Sequence, residues 1–241
     1  MASQVIPTPA LALFDLDNTL LGGDSDYLWG QFLVEQGIVD PAAYEAANRR
    51  FYTDYRQGRL DIAAFLEFSL KPLSEHPVEF LLALRRRFVE TKIAPLILPA
   101  GRALVEYHQN RGDLVAIVTA TNAFVTEPIA KLLGVPHLLA TRPEFRHGRY
   151  TGRFVGIPCF QHGKVLHLKE WLRDKALEPE RAVFYSDSHN DLPLLEQVPH
   201  PVAVDPDPVL EEVARQRGWT VLSLRQALEP VLLSGPPWPP R

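Results

Sequence analysis

The sequence of 241 residues contains a single cysteine and no apolar run that approaches the roughly 18 residues needed to span a bilayer. With Cys159 alone, neither a disulfide framework nor a cysteine-based zinc site can form within the chain. Residues 1–9 have neither the basic start nor the apolar core of a signal peptide. These absences predict a soluble protein of the cytoplasm.

An excess of positive charge is also missing. The formal net charge is −4, which disfavours nucleic acid or an anionic membrane as an obligatory partner. A small anion can still bind, because a metal ion and a few local cations can reverse the field inside one cleft. With 46% hydrophobic residues, the chain is long enough to bury one core with an insertion. Nothing in the sequence indicates an oligomeric state.

The most informative segment that is present is the string LFDLDNTL at 13–20. An apolar run that predicts a buried strand ends there at Asp15 and Asp17. On an extended chain the two side chains point the same way. Like charges this close need a cation, and oxygen ligands favour magnesium. One carboxylate could attack a phosphorus atom while the other moves a proton. Taken alone, the string is equally compatible with a solvated turn at a strand end.

The rest of the sequence divides into a helical stretch and an alternating stretch. Residues 24–96 show apolar residues at helical spacing and no convincing strand. Helices are predicted there at 27–33, 41–55, 62–70 and 77–92. From residue 97 onward strands alternate with helices, which indicates a parallel sheet covered on both faces. Including the first, the predicted strands lie at 11–16, 114–119, 137–140, 182–186, 202–204 and 220–222, with a hairpin at 145–155. The proline-rich tail at 234–241 is predicted to be mobile.

Polar side chains follow two further strands of the predicted sheet. Thr119 ends the second strand before a helix, where backbone N–H groups can hold an anion. The string SDSHND at 186–191 brings Asp187 and Asp191 to another strand end. Ligands of such sheets collect at the carboxyl ends of the strands, so both acidic pairs are expected to share one cation. Lys164 begins a helix, where a cation is unfavourable unless an anion accompanies it. Taken singly, helix capping and a solvated lysine are alternative interpretations.

Together these segments resemble the four motifs of the haloacid dehalogenase superfamily in order and approximate spacing. The matching segments are DLDNT at 15–19, Thr119, Lys164 and SDSHND at 186–191. A helical stretch between the first and second motifs is similar to the phosphoserine-phosphatase-like subgroup. The resemblance implies an α/β fold, in which a doubly wound parallel-sheet core carries an inserted all-helical cap. The core is expected at residues 1–23 plus 97–233, and the cap at 24–96.

The same resemblance implies phosphoryl transfer through an aspartyl-phosphate. Asp15 is the expected nucleophile, and Asp17 is the expected acid and base, a residue that dehalogenases of the superfamily lack. Magnesium (Mg²⁺) is the implied cofactor, held by or next to four aspartates: Asp15, Asp17, Asp187 and Asp191. Phosphate is expected to be bound, and its charge stabilised, by Thr119, Ala120, Lys164 and Asn190.

The implied substrate is a small phosphorylated metabolite, and a few positions suggest which one. Asp24 lies where the subgroup places an acid facing the substrate's amino group, and capping of the following helix is the alternative. Thr121 departs from the Ser-Gly-Gly of phosphoserine phosphatases, because the second motif here reads Thr-Ala-Thr at 119–121. The strings GRYTG at 148–152 and PCF at 158–160 look more like bacterial relatives implicated in histidinol phosphate hydrolysis.

Histidinol phosphate is therefore the predicted substrate. Phosphoserine, or a broad range of small phosphate esters, is an alternative, and so is transfer of the phosphoryl group to an alcohol. A different class of function is a catalytically idle module that binds a phosphorylated ligand. The intact set of Asp15, Asp17, Lys164 and Asp187 argues against it, because an idle site need not keep both a nucleophile and an acid.

Overall fold

The computed structural model describes residues 11–177, 181–236 and Trp238. The strands in these ranges are β1 (Leu11–Phe14), β2 (Leu114–Thr119), β3 (His137–Ala140), β4 (Arg142–Arg146), β5 (Arg149–Val155), β6 (Ala182–Ser186), β7 (His200–Val204), β8 (Thr220–Ser223) and β9 (Val231–Ser234). One sheet has the order β3-β2-β1-β6-β7-β8-β9, and β4 and β5 form a separate hairpin. Neighbouring strands of the sheet are parallel except β8 and β9. The predicted α/β architecture is confirmed.

The α-helices of the described ranges are α1 (Ser25–Glu35), α2 (Pro41–Arg56), α3 (Ile62–Glu75), α4 (Val78–Phe88), α5 (Pro99–Asn110), α6 (Ala123–Leu132), α7 (His162–Asp174), α8 (Leu192–Leu195) and α9 (Pro208–Arg217). The first four follow β1 and precede β2, which confirms the four helices predicted there. Side chains of Asp40 and Asp61 cap α2 and α3, and Pro41 occupies the first turn of α2, as their residue types favour. Within these ranges, no helix combines the length and the hydropathy that crossing a membrane requires.

The sheet lies between two apolar clusters, because its central strands are apolar on both faces. Phe14 and Tyr185 belong to the cluster on one face, and Leu13 and Phe184 belong to the cluster on the other. This alternation is what consecutive residues of a strand produce. Since β1, β2 and β6 are adjacent and parallel, their carboxyl ends meet at one edge of the sheet.

The helices α1 to α4 are joined to the sheet through two segments that lie side by side. Leu21 and Ile97 form an isolated antiparallel bridge. On either side of it, the Gly22 N–H donates to the Leu96 carbonyl at 2.7 Å, and the Leu98 N–H donates to a carbonyl of the outgoing segment at 3.0 Å. The chain therefore leaves the sheet and returns to it at one point. The division of the chain at residues 23 and 97 into core and cap stays a prediction.

Several details differ from the sequence-based expectations. β1 ends at Phe14, two residues earlier than predicted, because the chain enters a turn in which Asn18 has a φ of 59°. β9 was not predicted, and Ser234, assigned to the mobile tail, lies in it at the sheet edge. The Trp238 Nε1–H donates to the Tyr185 hydroxyl at 3.1 Å, so this part of the predicted tail packs on the core. Residues 237 and 239–241 of that tail, and residues 1–10 of the predicted core, lie outside the described residues.

Candidate active site

The strand β1 delivers Asp15 to the edge of the sheet, between the ends of β2 and β6. The residue is 4% exposed, and its backbone N–H donates to the carbonyl of Tyr185 at 2.9 Å. This hydrogen bond extends the pairing of β1 with β6 by one residue and so holds the backbone of Asp15 in place. A buried carboxylate is thereby positioned where ligands of parallel sheets bind.

Lys164 is the counterion of this carboxylate. Its Nζ lies 2.7 Å from Asp15 Oδ1 and 2.7 Å from Asp191 Oδ1, and the lysine is 2% exposed. Burial alone would lower the pKa of Lys164, but the two carboxylates raise that pKa above its ordinary value. The ammonium therefore stays charged in spite of its burial. The structure brings these three predicted site residues together from β1, from the start of α7 and from the segment after β6.

Gly163 makes this approach of Lys164 possible. A Cβ atom at Gly163 would lie 1.9 Å from the carbonyl oxygen of Pro158. This distance is far shorter than any contact between non-bonded atoms. Because this position has no side chain, α7 can begin directly against the preceding loop, and its first turn carries Lys164 inward. Any larger residue at 163 would displace the start of α7 and, with it, the ammonium group.

Asp187, after β6, approaches Asp15 through the hydroxyl of Thr19. Thr19 Oγ1 lies 3.3 Å from Asp15 Oδ2 and 3.2 Å from Asp187 Oδ1, and it accepts a hydrogen bond from the Asp187 N–H at 3.1 Å. Burial, and then the charges of Asp15 and Asp191, raise the pKa of Asp187 well above its ordinary range. A buried and a partly buried carboxylate that share one hydroxyl make an arrangement that a cation would relieve.

The four aspartates predicted as metal ligands do not form one cluster of side chains. Among the described residues, no group of three or more His, Cys, Asp or Glu side chains is arranged to hold a metal ion. Asp191 accepts a hydrogen bond from Ser186 Oγ at 2.7 Å, and the Asp17 carboxylate has separate partners. The pair of Asp15 and Asp187 nevertheless fits magnesium, because this ion commonly takes one or two carboxylates and fills its remaining positions with water and substrate phosphate.

Asp17 lies in a different environment from Asp15. Its Oδ1 accepts a hydrogen bond from the Ser25 N–H at 2.6 Å, and its Oδ2 accepts one from Thr121 Oγ1 at 2.7 Å. Burial, followed by the charge of Asp24, raises the pKa of Asp17 to about 6. A carboxyl group with such a pKa can both give and take a proton near neutral pH. Thr121, the departure from the Ser-Gly-Gly motif, is thus a direct partner of the predicted acid and base.

The predicted phosphate-binding residues are brought together only in part. Thr119 is fully buried, and its Oγ1 accepts a hydrogen bond from the Thr121 N–H at 3.2 Å. Thr119 and Ala120 both line the cleft described next. Asn190 points elsewhere, since its Nδ2 donates to the carbonyl of Tyr55 at 3.0 Å. Its amide therefore links the segment after β6 to the end of α2.

A cleft of about 540 Å³ lies between the sheet edge and the helices α1, α2 and α3. We call the part formed at the sheet edge the floor, which consists of Asp15, Asp17, Thr119, Ala120 and Thr121. We call the part formed by the helices the wall, which consists of Tyr27, Asn48, Phe51, Tyr52, Tyr55, Leu60, Ile62 and Phe65. In the wall, the rings of Tyr27 and Tyr52 lie 4.8 Å apart. The cleft is therefore charged at one end and aromatic at the other.

Asp24, the predicted partner of a substrate amine, lies in this cleft and also caps α1. Its side chain accepts a hydrogen bond from the Tyr27 N–H at 2.8 Å, which confirms the capping interpretation. Burial raises the pKa of Asp24 above its ordinary value. The described residues that line the cleft include no lysine, arginine or histidine, so Asp17 and Asp24 meet no basic side chain within it.

Three residues hold the aspartates of the site although the sequence did not single out their contacts: Thr19, Ser25 and Ser186. Thr19 and Ser186 belong to the first and last motifs, so their side chains could have been proposed as partners. Ser25 acts through its backbone N–H, which no pattern of side chains reveals. Tyr52 and Tyr55, which the helical spacing of residues 24–96 does not single out, also line the cleft.

Residues 12–196 match the family of haloacid dehalogenase-like hydrolases. A histidinol-phosphatase of Neisseria meningitidis serogroup C (strain 8013) is 44% identical over 219 residues, covering 89% of this chain and 99% of the relative. A crystal structure of a protein of unknown function from Bordetella pertussis Tohama I has a TM-score of 0.85 at 46% identity, covering 90% of this chain and 99% of that one. A substrate-bound phosphoserine phosphatase shares the fold at 20% identity, with a TM-score of 0.65 and coverage of 85% and 90%.

Proposed function

The chain belongs to the haloacid dehalogenase-like hydrolase family and is a phosphatase within it, and we propose that it hydrolyses histidinol phosphate through an aspartyl-phosphate. The observation that carries this proposal is the buried pair of Asp15 and Lys164 behind a cleft that is otherwise acidic and aromatic. The pair presents a nucleophile to a phosphate group. The remainder of the cleft is suited to an amino-bearing leaving group.

In the first step, a carboxylate oxygen of Asp15 attacks the phosphorus of the bound ester. The bond between Asp15 and phosphorus forms as the bond between phosphorus and the leaving oxygen breaks. Asp17 gives its proton to that oxygen, which departs as a neutral alcohol. The pKa of about 6 for Asp17 supports this role, because a protonated fraction persists toward neutral pH.

In the second step, a water molecule attacks the phosphorus of the aspartyl-phosphate. Asp17, now ionised, accepts the proton of that water. The bond between Asp15 and phosphorus breaks, inorganic phosphate leaves, and Asp17 is protonated again for the next cycle. The Ser25 N–H and the Thr121 hydroxyl support both steps, because they orient the Asp17 carboxyl group and stabilise its ionised form.

Lys164 and Thr119 are the proposed side chains that stabilise charge on the transferring oxygens, with the backbone N–H at Ala120. Lys164 also reduces the repulsion between Asp15 and an incoming phosphate dianion. Removal of one such donor typically costs on the order of a hundredfold in rate. Asn190 is a weaker candidate for this role than its sequence position suggests, because its amide is engaged by Tyr55.

Magnesium is the proposed cofactor, and the donor groups of the site support it. Burial raises the pKa of Asp15 to about 7 in spite of Lys164, so a further cation is needed to keep this carboxylate ionised at neutral pH. The residues that would hold it are Asp15, Asp187 and the backbone carbonyl of Asp17, with Asp191 next to them. When bound, the ion supplies positive charge to the phosphate oxygens.

The groups around the leaving-group end of the cleft support histidinol phosphate over phosphoserine. The carboxylate of phosphoserine would lie near Asp17 and Asp24 without a basic side chain among the described lining residues. Histidinol phosphate has an amine that suits Asp24 and an imidazole that can pack against Tyr27 and Tyr52. The 44% identical histidinol-phosphatase also supports this substrate.

Phosphate release with magnesium is the test of the substrate, measured with histidinol phosphate, phosphoserine, sugar phosphates and nucleotides. We expect kcat/KM for histidinol phosphate to be the largest of the panel and to be lost with a chelator and in Asp15→Asn. A preference for phosphoserine would overturn the substrate and keep the chemistry. Binding of magnesium and phosphate without release from any ester would instead favour the idle binding module.

The aspartyl-phosphate is tested with Asp17→Asn and 4-nitrophenyl phosphate. The 4-nitrophenolate group leaves without a proton, so the first step proceeds in this variant, whereas the second step lacks its base. We expect a burst of 4-nitrophenolate and, by mass spectrometry of the acid-quenched protein, one added phosphoryl group on Asp15. Steady turnover with no added mass would contradict the covalent mechanism.

A further inference from the structure

Asp26 is an acid of the cleft that the proposed mechanism does not use. It lies in the first turn of α1, is nine-tenths buried, and lines the same cleft as Asp17 and Asp24. Its Oδ1 has no hydrogen-bond partner anywhere in the described part of the chain. A buried carboxyl oxygen in this condition destabilises the protein unless a ligand supplies the missing donor.

The helix itself does not account for this residue. Asp24 already caps α1, so Asp26 is not needed as a cap, and its charge adds only a weak interaction with the helix dipole. Burial, and then the charges of Asp24 and Asp17, raise the pKa of Asp26 well above its ordinary range. These three acids approach one another in a cleft whose described lining offers no basic side chain. A ligand that carries positive charge would supply the counterion that this lining lacks.

We propose that Asp26 binds a second proton-bearing nitrogen of the substrate, while Asp24 binds the first. This inference rests on the proposed phosphatase function and deepens it, because it defines the leaving group as an alcohol with two nitrogen donors and no carboxylate. An alkyl ammonium and the N–H of an imidazole are two such donors. With one carboxyl group for each nitrogen, the unpaired Oδ1 of Asp26 gains its partner only when a ligand of this class is bound.

Competitive inhibition by the free alcohols tests Asp26 separately from turnover of the natural substrate. Hydrolysis of 4-nitrophenyl phosphate by the magnesium-loaded protein serves as the reporter, since this ester has no nitrogen donor for either acid. The inhibitors are histidinol, with an amine and an imidazole, and 2-aminoethanol, with an amine alone. They are compared in the unchanged protein, in Asp26→Asn and in Asp24→Asn.

We expect Asp26→Asn to raise the inhibition constant of histidinol about tenfold, as loss of one charged hydrogen bond does, and to leave that of 2-aminoethanol within about twofold. Asp24→Asn should weaken both inhibitors. Ser69→Ala is the matched control, because Ser69 Oγ is also buried without a partner in the described residues and lies on α3 away from the cleft. This control should change neither constant.

The outcomes separate the inference from the proposed function. An unchanged histidinol constant in Asp26→Asn, or an equal change for both inhibitors, overturns the role of Asp26. Hydrolysis of 4-nitrophenyl phosphate without a preference for histidinol phosphate overturns the proposed substrate. In that case the inhibition constants of histidinol and 2-aminoethanol still test the role of Asp26. If no ester is hydrolysed, the phosphatase proposal fails. Histidinol binding is then measured by calorimetry in the unchanged protein and in Asp26→Asn, and equal affinities overturn the inference.

Discussion

The floor of the cleft is held by hydrogen bonds between charged and polar groups, whereas its wall is held mainly by contacts between aromatic rings. In the floor, Asp15 and Asp17 each accept hydrogen bonds both from a residue nearby in sequence and from a distant one, at 2.6 to 3.3 Å. In the wall, ring pairs such as Tyr27 and Tyr52 meet at 4.8 Å without a hydrogen bond between them. Directional contacts tolerate little displacement, while ring contacts allow several packings.

This difference assigns separate tasks to the two regions. A phosphoryl group is the same in every phosphate ester, so the groups that react with it can be held in one geometry. Leaving groups differ between substrates, so the surface that meets them benefits from contacts that change without loss of the fold. We therefore expect substitutions in the floor to act mainly on kcat, and substitutions in the wall to act mainly on KM.

Asp15→Asn should have the largest effect on activity. Loss of the nucleophile is expected to lower kcat by about 10⁴-fold or more. The melting temperature should change little, because removal of the repulsion from Asp187 and Asp191 offsets the lost ion pair with Lys164, which keeps Asp191 as its partner. Steady-state kinetics and thermal melts measure both quantities. A variant that kept more than a hundredth of the activity would exclude Asp15 as nucleophile.

Lys164→Met should come next, and it should reduce both activity and stability. The change leaves Asp15 and Asp191 buried without their shared cation, and breaking a buried ion pair typically costs about 3–5 kcal/mol of unfolding free energy. Urea denaturation of the metal-free protein measures this loss. Lys131→Met, at an exposed position on α6, is the matched control and should change stability by less than about 0.5 kcal/mol. Equal effects of the two variants would contradict the role given to Lys164.

The stability of the metal-free protein should also depend on pH through the floor. Burial raises the pKa of Asp15 to about 7 and that of Asp17 to about 6, from an ordinary value of 3.8. Between these values and 3.8 the folded state binds more protons than the unfolded state, so stability falls as pH rises from about 4 to about 7. Melting temperatures in chelator across this range measure the effect.

Magnesium should reverse this loss, since it replaces the protons on the floor. We expect the rise in melting temperature on addition of magnesium to be larger at pH 8 than at pH 5. The double variant Asp15→Asn/Asp17→Asn should show a smaller slope with pH and a smaller response to the ion. If the melting temperature of the double variant changed with pH as steeply as that of the unchanged protein, the pH dependence of stability would arise from groups other than Asp15 and Asp17.

Tyr52→Leu should have the smallest effect, which is confined to the wall. Loss of the ring contact with Tyr27 should cost about 1 kcal/mol of binding, which is roughly a fivefold rise in KM for histidinol phosphate. We expect kcat and the activity on 4-nitrophenyl phosphate to change less. Phe80→Leu is the control, because Phe80 is 43% exposed and lies on α4 away from the cleft. A large fall in kcat for Tyr52→Leu would show that floor and wall are not separable.

The sequence predicted the floor better than the wall, and the reason is physical. Apolar strands that end in acidic or hydroxyl residues indicate by themselves that Asp15, Thr119 and Asp187 share one edge, because parallel strands end together. Helical spacing reveals that a residue such as Tyr52 lies on a helix face. It does not reveal whether that face meets a core or a cleft, since both surfaces are apolar.

Contacts that depend on backbone conformation could not be predicted from the sequence either. The Ser25 N–H reaches Asp17 only because the chain turns back after β1, and residue type has no bearing on a backbone donor. The orientation of Asn190 toward Tyr55 depends on how α2 ends above the sheet edge. β9 has only four residues at the sheet edge, which is too short for an alternating pattern to stand out.

The bridge between Leu21 and Ile97 also bears on how proteins of this architecture can diversify. Helices α1 to α4 form a loop whose two ends are already joined, and the entropy of closing a loop grows only with the logarithm of its length. Doubling such a loop costs the fold about 0.6 kcal/mol. Recombination at these two positions could therefore replace the segment between them by a different one. Such an exchange would replace all residues of the wall at once. The exchanged segment would need to retain one feature of the old one, a backbone N–H that reaches Asp17.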